Sequence, residues 1–353
     1  MVGRAASIVP SVSTRGISAF GLLLVAVAAG LLVYGNVRVD KPLELLNVSY
    51  DPTREVYTEI DAKFAVQFRH ETGRTIVIKQ SHGGSSRQAK AVEDGLAADV
   101  VTLGLPSDVE RLRALGLVSS DWQARFPDKA QPYFSTIVFV VRRGNPRKIQ
   151  DWGDLARPGL EVITPDPKTS ANGRLSFLAA WGAVVFRGGT EAQARALVEA
   201  IYHNVSTLGS GARDSANTFE LAGEGDVHLT WENEAIRETR GSSGELQIVY
   251  PPVSVRAEPS VAVVTPNAAK HHLESAAQAY LNYLFSDEAQ EIFAKDGYRP
   301  SNASVLAQHR DVLPDITLFP VTLTASDWNE AQAKFFADGG FFDVLHRRLA
   351  AEH

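Results

Sequence analysis

Residues 80–86 have the composition and spacing of an anion-binding loop. The sequence Gln-Ser-His-Gly-Gly-Ser-Ser follows the β-branched run 76–78 and leads into a helical pattern over 87–96. The two glycines let the backbone turn sharply and approach a ligand closely, and Ser85 or Ser86 can cap the helix that follows. Because a helix start presents unpaired N–H groups and the positive end of a dipole, the loop is suited to binding an anion.

Three other loops share this placement between a predicted strand and a predicted helix: Ser49-Tyr-Asp51, Thr169 to Gly173, and Ser210 to Arg213. In an open α/β sheet, ligands bind at the carboxyl ends of the strands, where all four loops lie. Any one Gly/Ser loop is most often a simple turn, so the set carries more weight than its members. The loops fall in both halves of the chain, which predicts two lobes that face a cleft.

The elements that would position these loops alternate along the chain. Strands are predicted at 43–49, 75–79, 99–103, 136–142, 161–164, 226–230 and 261–265. Helices are predicted after Asp51-Pro52, with Asp51 as the N-cap, and at 87–96, 109–117, 175–186, 191–203, 216–222, 273–285 and 288–295, with a helical tail broken at Gly339-Gly340. Strands that alternate with helices predict an α/β fold with helices on the faces of a largely parallel sheet.

Composition limits the function. The chain has 353 residues, 44% hydrophobic and 22% charged, which fits one large or two medium domains. The net charge of −6 disfavours nucleic acid or an anionic membrane surface as a partner. An anionic ligand must then be held by local dipoles. The sequence contains no Cys, which excludes disulfides, thiolate metal sites and a cysteine nucleophile.

The first 40 residues differ from the rest and predict export. Arg4 and Arg15 lie in an acid-free leader, and an apolar run covers residues 17–33. This pattern is typical of a secretory signal, with a small-residue cleavage site at Ala26-Val-Ala28. The alternative is an uncleaved anchor formed by residues 17–34, since the run is close to the minimum length of a membrane span. In both cases the body of the protein is periplasmic.

The residues also allow an enzyme, with Ser85 as nucleophile and His82 as base. No Gly-x-Ser-x-Gly elbow, P-loop or cluster of metal ligands surrounds this serine, so binding without catalysis, metal or cofactor is favoured. His82 is expected to order its loop through local hydrogen bonds, as lone histidines usually do. Trp231, at the end of a predicted strand, is either a core residue or a donor in the site.

Eight ordered segments resemble the prokaryotic sulfate/thiosulfate-binding proteins. They are Leu46-Asn-Val-Ser-Tyr-Asp-Pro-Thr-Arg-Glu55, Gln80-Ser-His-Gly-Gly-Ser85, Ala98-Asp-Val-Val-Thr102, Ser135-Thr-Ile-Val-Phe139, Ala179-Ala-Trp-Gly182, Trp231-Glu-Asn-Glu-Ala235, Ala257-Glu-Pro259 and Tyr298-Arg-Pro300. The resemblance covers about residues 43–345. It implies a type II periplasmic-binding-protein fold whose two lobes close around a ligand at a hinge. It also implies a monomer that delivers sulfate to an ABC permease, with thiosulfate, molybdate or tungstate as alternative ligands.

The resemblance further implies the domain limits and the site. Lobe one would be 43–135 plus 258–346 and lobe two 136–257, with crossings near 135–140 and 255–261. The ligand would be held by backbone N–H groups and by two side chains, the Ser170 hydroxyl and the Trp231 indole. The implied backbone donors belong to Asp51, Ser85, Ala171, Asn172 and Ala212.

Two of these positions are informative. The chain departs from the family pattern at Ala171, and the residue type at Trp231 bears on the choice of ligand. Ala171 replaces a glycine, which would be strained if the position required a positive φ but tolerated in the first turn of a helix. Sulfate-preferring members carry Trp at the position of Trp231, whereas some thiosulfate-preferring relatives carry Phe, so the resemblance favours sulfate.

Overall fold

The computed structural model describes residues 41–352, together with Leu24, Ala26 and Val27. The predicted export segment at 1–40 and its anchor alternative at 17–34 lie outside the described residues, apart from those three, which are helical. Within the described part of the chain, no helix combines the length and the apolar composition that crossing a bilayer requires.

The chain alternates strands and helices, as the sequence predicts. The strands are β1 Leu43–Tyr50, β2 Ile76–Gly83, β3 Val100–Leu103, β4 Tyr133–Phe134, β5 Ile137–Arg142, β6 Val162–Pro165, β7 Val205–Gly209, β8 Val227–Trp231, β9 Leu246–Val249, β10 Val253–Val255, β11 Ser260–Val263, β12 Arg299–Pro300 and β13 Thr317–Phe319. The helices are α1 Arg54–Thr72, α2 Ser85–Glu93, α3 Pro106–Ala114, α4 Ala171–Phe186, α5 Glu191–His203, α6 Ala212–Glu220, α7 Glu232–Gly241, α8 Thr265–Lys270, α9 Glu274–Tyr283, α10 Asp287–Lys295, α11 Ala303–Gln308, α12 Trp328–Ala331 and α13 Phe341–Glu352. Short turns occur at Asp51–Thr53, Trp122–Ala124, Pro127–Ala130, Trp152–Ala156, Val321–Leu323 and Gln332–Phe336, the last being a π-helical turn.

The first sheet has the strand order β11-β3-β1-β2. Strand β1 runs parallel to β2 and β3, and β11 is antiparallel to β3. The register aligns Tyr50 with Gly83 and Ser49 with Thr102. Because these strands end together, the loops that begin at Asp51 and Gly84 lie at the same edge of the sheet.

The second sheet has the order β7-β6-β8-β5-β9. Strand β6 runs parallel to β7 and β8, whereas β5 is antiparallel to both of its neighbours. Pro165 is in register with Gly209, which brings the loops before α4 and α6 side by side. Both sheets are therefore parallel where the predicted loops leave them, and the predicted α/β class is confirmed.

The chain passes between the sheets at two adjacent places. Ser135 and Ala257 form an antiparallel bridge, with backbone N···O distances of 3.0 and 2.9 Å. The C-terminal part passes over as well, because β13 pairs with β10 and the ring of Phe319 stacks on that of Phe186 in α4. Residues of both sheets share one continuous apolar core, and a smaller apolar cluster lies around Val138 and Phe219.

Two predicted caps are wrong. Asp51 is the first residue of the turn Asp51–Thr53, Tyr50 is its N-cap, and no side chain caps it. Helix α2 begins at Ser85, two residues earlier than predicted, so Gly84 is the N-cap and neither serine caps the helix. The two serine hydroxyls bind the Asp108 carboxylate instead, a partner 22–23 residues away that local sequence does not show.

Candidate functional site

The four predicted loops converge at one place between the two sheets. A methyl group at Gly84 would lie 2.5 Å from the carbonyl oxygen of Thr169 and 3.1 Å from that of Ser210. A methyl group at Gly211 would lie 2.3 Å from Oδ2 of Asp51. Glycine at these positions therefore lets the loops of the first sheet approach those of the second, and the cleft between them is closed.

Each predicted backbone donor opens a helix or a helical turn. Asp51 begins the turn that continues into α1, Ser85 begins α2, Ala171 and Asn172 begin α4, and Ala212 begins α6. The N–H groups of a first helical turn have no acceptor within the helix. No N-cap side chain accepts from them at any of these four starts. The positive ends of these helix dipoles therefore lie where the four loops converge.

Ala171 shows how this site departs from the family pattern. It occupies the first position of α4 and is not among the residues with positive φ, so alanine is unstrained there. A methyl group at Gly104, on the loop after β3, would lie 2.8 Å from Cβ of Ala171 and 3.2 Å from Cδ2 of Tyr50. Gly104 thus provides the space that the Ala171 methyl group occupies across the cleft.

The two predicted side-chain donors are buried beside these helix starts. Ser170 is the N-cap of α4 and is 2% exposed. Trp231 ends β8, is fully buried, and its ring centroid lies 5.3 Å from that of Tyr50, the residue before Asp51. Trp231 is therefore part of the core and packs against the residue that precedes Asp51, while its role as a donor stays a prediction.

The Ser85 hydroxyl is engaged in supporting the loop. It donates to Oδ2 of Asp108 at 2.6 Å and accepts from the backbone N–H of Gly104 at 3.0 Å. The hydroxyl of Ser86 donates to the other oxygen of Asp108 at 2.9 Å. The Ser85 hydroxyl therefore donates to the Asp108 carboxylate and not to His82, so the predicted enzyme pairing of Ser85 with His82 is not formed.

The prediction that His82 orders its loop through local hydrogen bonds is wrong. Its Nε2 atom is buried and has no hydrogen-bond partner among the described residues. Burial, assisted by the positive charge of Arg54, lowers the pKa of His82 to about 4, which keeps the ring neutral at physiological pH. The loop is held instead by the pairing of β2 with β1 and by the two serine hydroxyls.

Charged side chains around the cleft pair with one another across it. Arg213, the second residue of α6, donates to both carboxylate oxygens of Glu55 at 2.8 and 2.9 Å and to buried Glu234 at 3.1 Å. Arg174 of α4, which is 7% exposed, lies 3.5 Å from Asp108 of α3. These arginines are neutralised by carboxylates and leave the backbone donors as the main source of positive potential.

The Asp51 carboxylate is the one negative group of the first-sheet loop at the cleft. Burial raises its pKa, and the nearby positive charges of Arg54, Arg213 and Arg87 oppose that rise. Nη2 of Arg54 lies 3.7 Å from Oδ1 of Asp51. Cationic neighbours therefore partly offset a carboxylate that would otherwise repel an anion.

Among residues 41–352, no group of three His, Cys, Asp or Glu side chains is arranged to hold a metal ion. Gly104 and Asp108 support the donors but were not predicted from the sequence, whereas Tyr50 lies in the first predicted loop without a role of its own. Only Gly104 carried a usable signal, since it follows a predicted strand as the four loops do.

The chain is similar to several known proteins along most of its length. The family model of the bacterial extracellular solute-binding proteins matches residues 45–299. A sulfate-binding protein of Salmonella typhimurium is 46% identical over 90% of the chain and 97% of its own length. A thiosulfate-binding protein of Pseudomonas aeruginosa is 43% identical over 90% of the chain and 96% of its own length. The structure of the sulfate-binding protein SubI from Mycobacterium tuberculosis superposes with a TM-score of 0.76 at 32% identity, over 83% of the chain and 99% of SubI.

Proposed function

Since the chain belongs to the bacterial extracellular solute-binding proteins, we propose that it captures sulfate in the closed cleft and delivers it to an ABC permease for uptake. The observation that carries the proposal is the convergence of four helix starts whose N-caps provide no side-chain acceptor. The role is binding and release, and it requires no bond to be made or broken. The proposed ligand donors are the backbone N–H groups of Asp51, Ser85, Ala171, Asn172 and Ala212, with the Ser170 hydroxyl and the Trp231 indole N–H.

A site of this composition selects a fully ionised oxyanion. Sulfate at neutral pH has only acceptor oxygens, whereas phosphate keeps a proton that needs an acceptor. The backbone N–H groups and the indole N–H can only donate. A buried phosphate O–H without a partner costs about 1–3 kcal/mol. The Ser170 hydroxyl is the one proposed ligand group that can also accept, so phosphate is disfavoured because its proton competes for a group that otherwise donates to the anion.

Thiosulfate is the main alternative ligand, because relatives of both names match the chain at similar identity. Trp231 favours sulfate, since its indole N–H supplies one more hydrogen bond to an oxygen at a fully buried position. Competition calorimetry with thiosulfate, molybdate and tungstate tests this preference. Displacement of bound sulfate by equimolar thiosulfate would favour the alternative.

The proposed lobes are residues 43–135 plus 258–346 and residues 136–257, and they would open and close about the two adjacent crossings. The hydrogen bonds between Ser135 and Ala257 support this division, because they hold the two crossings together as a hinge requires. The C-terminal part of the proposed first lobe also contacts the second, through β13 and the helix α13.

We propose a periplasmic monomer whose partners are the permease subunits. Retention of residues 17–34 as an anchor remains the alternative to cleavage. Intact-mass measurement of the exported protein distinguishes the two, because cleavage near Ala28 removes about 3 kDa at the average residue mass implied by 38.3 kDa for 353 residues. A mass equal to that of the full chain would favour the anchor.

A further inference from the structure

Lys168 connects the loop before α4 to the C-terminal segment of the chain. Its Nζ donates to the carbonyl oxygen of Phe336 and to Oδ1 of Asp338, both at 3.0 Å, and lies 3.0 Å from Oδ1 of Asp343. A lysine ammonium group has three donors and no acceptor. All three donors of Lys168 therefore have an acceptor in one short stretch, residues 336–343.

The loop that carries Lys168 is a compact turn that ends at Ser170. The backbone N–H of Lys168 donates to Oδ1 of Asp166 at 2.8 Å, and the N–H groups of Thr169 and Ser170 donate to the Asp166 carbonyl at 3.1 and 2.9 Å. Nε of Arg174 donates to the Pro167 carbonyl at 2.9 Å, which ties the turn to the first turn of α4. Displacement of Lys168 would therefore displace Ser170 and the start of α4 with it.

The C-terminal segment is itself fixed on the body of α4. The ring centroids of Phe335, Phe336 and Phe341 lie 5.3, 5.3 and 5.7 Å from that of Phe177, two turns into the helix. The other oxygen of Asp343 accepts from the backbone N–H of Gly339 at 2.8 Å, which orders the acceptors of Lys168. The segment thus provides a rigid base from which Lys168 reaches the start of the same helix.

We propose that Lys168 is a positioning residue through which residues 336–343 hold Ser170 and the N–H groups of α4 at the cleft. The inference rests on the proposed function, since its measure is the binding of sulfate. Lys168 itself acts through the loop and contributes fixed geometry, which preorganises donors that lack caps of their own. Although burial alone would lower the pKa of Lys168, its hydrogen bonds with Asp338 and Asp343 raise it, so the charged form is maintained.

The test compares Lys168→Met with Lys334→Met in the full exported chain. Both lysines are about equally exposed, 30% and 31%, and each pairs with a carboxylate, but Lys334 links the C-terminal segment to Glu191 at the start of α5. In a sulfate titration, the affinity of Lys168→Met should be about tenfold lower than that of the unchanged chain, because donors to a buried anion lose their fixed position. Lys334→Met should bind within about twofold of the unchanged chain, and Lys168→Arg should recover most of the loss.

Two outcomes would overturn the proposal: sulfate affinity of Lys168→Met equal to that of the unchanged chain, or equal losses in Lys168→Met and Lys334→Met. If Lys168→Met does not fold, Asp338→Ala with Asp343→Ala gives the same test, because it removes two side-chain acceptors and keeps the lysine; unchanged affinity there also overturns the proposal. Failure of the unchanged chain to bind sulfate would contradict the proposed function instead, and the two failures are therefore distinguishable.

Discussion

The helices that begin at the cleft differ from four other helices of the described residues in how their first turns are satisfied. Helices α5, α10, α11 and α12 are capped by Thr190, Ser286, Asn302 and Asp327, whose side chains accept from first-turn N–H groups. Helices α2 and α6 have the glycines Gly84 and Gly211 as N-caps, which carry no side chain, and the Ser170 side chain at the start of α4 accepts no such bond.

This difference shows where the protein leaves donors for a ligand. A side-chain cap stabilises a helix by about 1 kcal/mol. The cleft helices lack this stabilisation. A missing cap alone does not make a site, since α8 and α9 also begin without one. Convergence distinguishes the cleft helices, because their starts meet between the two sheets, where we propose that they share one anion.

The largest effect should come from giving a cleft helix the cap it lacks. Ser170→Asp would place a carboxylate acceptor at the start of α4, where it competes with sulfate for the N–H groups and repels its charge. We expect affinity to fall by more than about 3 kcal/mol, which combines the lost hydroxyl donor with the new charge. Titration calorimetry measures the loss.

The matched control is Ser286→Asp, which exchanges one good cap for another at α10. It should leave sulfate affinity within about twofold, because Ser and Asp are equivalent N-caps. Equal losses in the two variants would break the distinction between cleft helices and capped helices.

Trp231→Phe should have the next largest effect. Removal of a donor to a buried anion costs about 1–3 kcal/mol, and calorimetry with sulfate measures it. The matched control is Trp152→Phe, since Trp152 is also fully buried but its indole N–H donates to the Val253 carbonyl at 2.8 Å. Trp152→Phe should lose thermal stability and keep its affinity for sulfate. Unchanged sulfate affinity in Trp231→Phe would instead assign Trp231 to the core alone.

Gly104→Ala tests the close approach of the loop after β3 to the start of α4. The added methyl group would overlap that of Ala171, and overpacking costs about 1–3 kcal/mol, which should appear as weaker sulfate binding because the cleft cannot close fully. Ala171→Gly in the same chain should recover much of the loss. If a double-mutant cycle gives additive effects, the two residues are not coupled across the cleft.

Ser85→Ala should affect stability more than binding. The substitution keeps the backbone N–H but leaves the Gly104 N–H and one oxygen of Asp108 without their partner. We expect the free energy of unfolding to fall by about 1–3 kcal/mol in denaturant titration, with sulfate affinity nearly unchanged. A loss of affinity as large as that of Trp231→Phe would show that the hydroxyl contacts the ligand.

His82→Gln should change only the pH dependence of the protein's stability. The pKa of His82 is near 6.5 in an unfolded chain and about 4 in the fold, so the unfolded state binds more protons between these values. The stability of the unchanged protein therefore falls as the pH is lowered from 6.5 towards 4. Thermal melts of His82→Gln should show a shallower fall over this window, and identical slopes would contradict a buried neutral ring.

The sequence predicts much of the donor set but little of what supports it. Asp51, Ser85, Ala171 and Ala212 all lie where a predicted strand gives way to a helix, and this is a local pattern. The resemblance to a family supplied the particular residues, and in the structure they lie at uncapped helix starts.

The supporting contacts could not be predicted because they join distant parts of the chain. Ser85 and Asp108 are 23 residues apart, and Lys168 and Asp338 are 170 apart. Local rules also misassigned Asp51 and the serines after Gly84 as caps, since Ser and Asp normally take that role. Here the tertiary fold gives the serine hydroxyls to Asp108 and leaves the N–H groups free of side-chain caps.

We propose that uncapped N–H donors hold a fully ionised oxyanion in the cleft. Titration of the purified protein with sulfate and with phosphate at neutral pH tests this proposal. We expect micromolar or tighter binding of sulfate, and binding of phosphate weaker by about 1–3 kcal/mol or more because the N–H donors cannot accept its proton. Absence of sulfate binding, or equal affinity for the two anions, would contradict it.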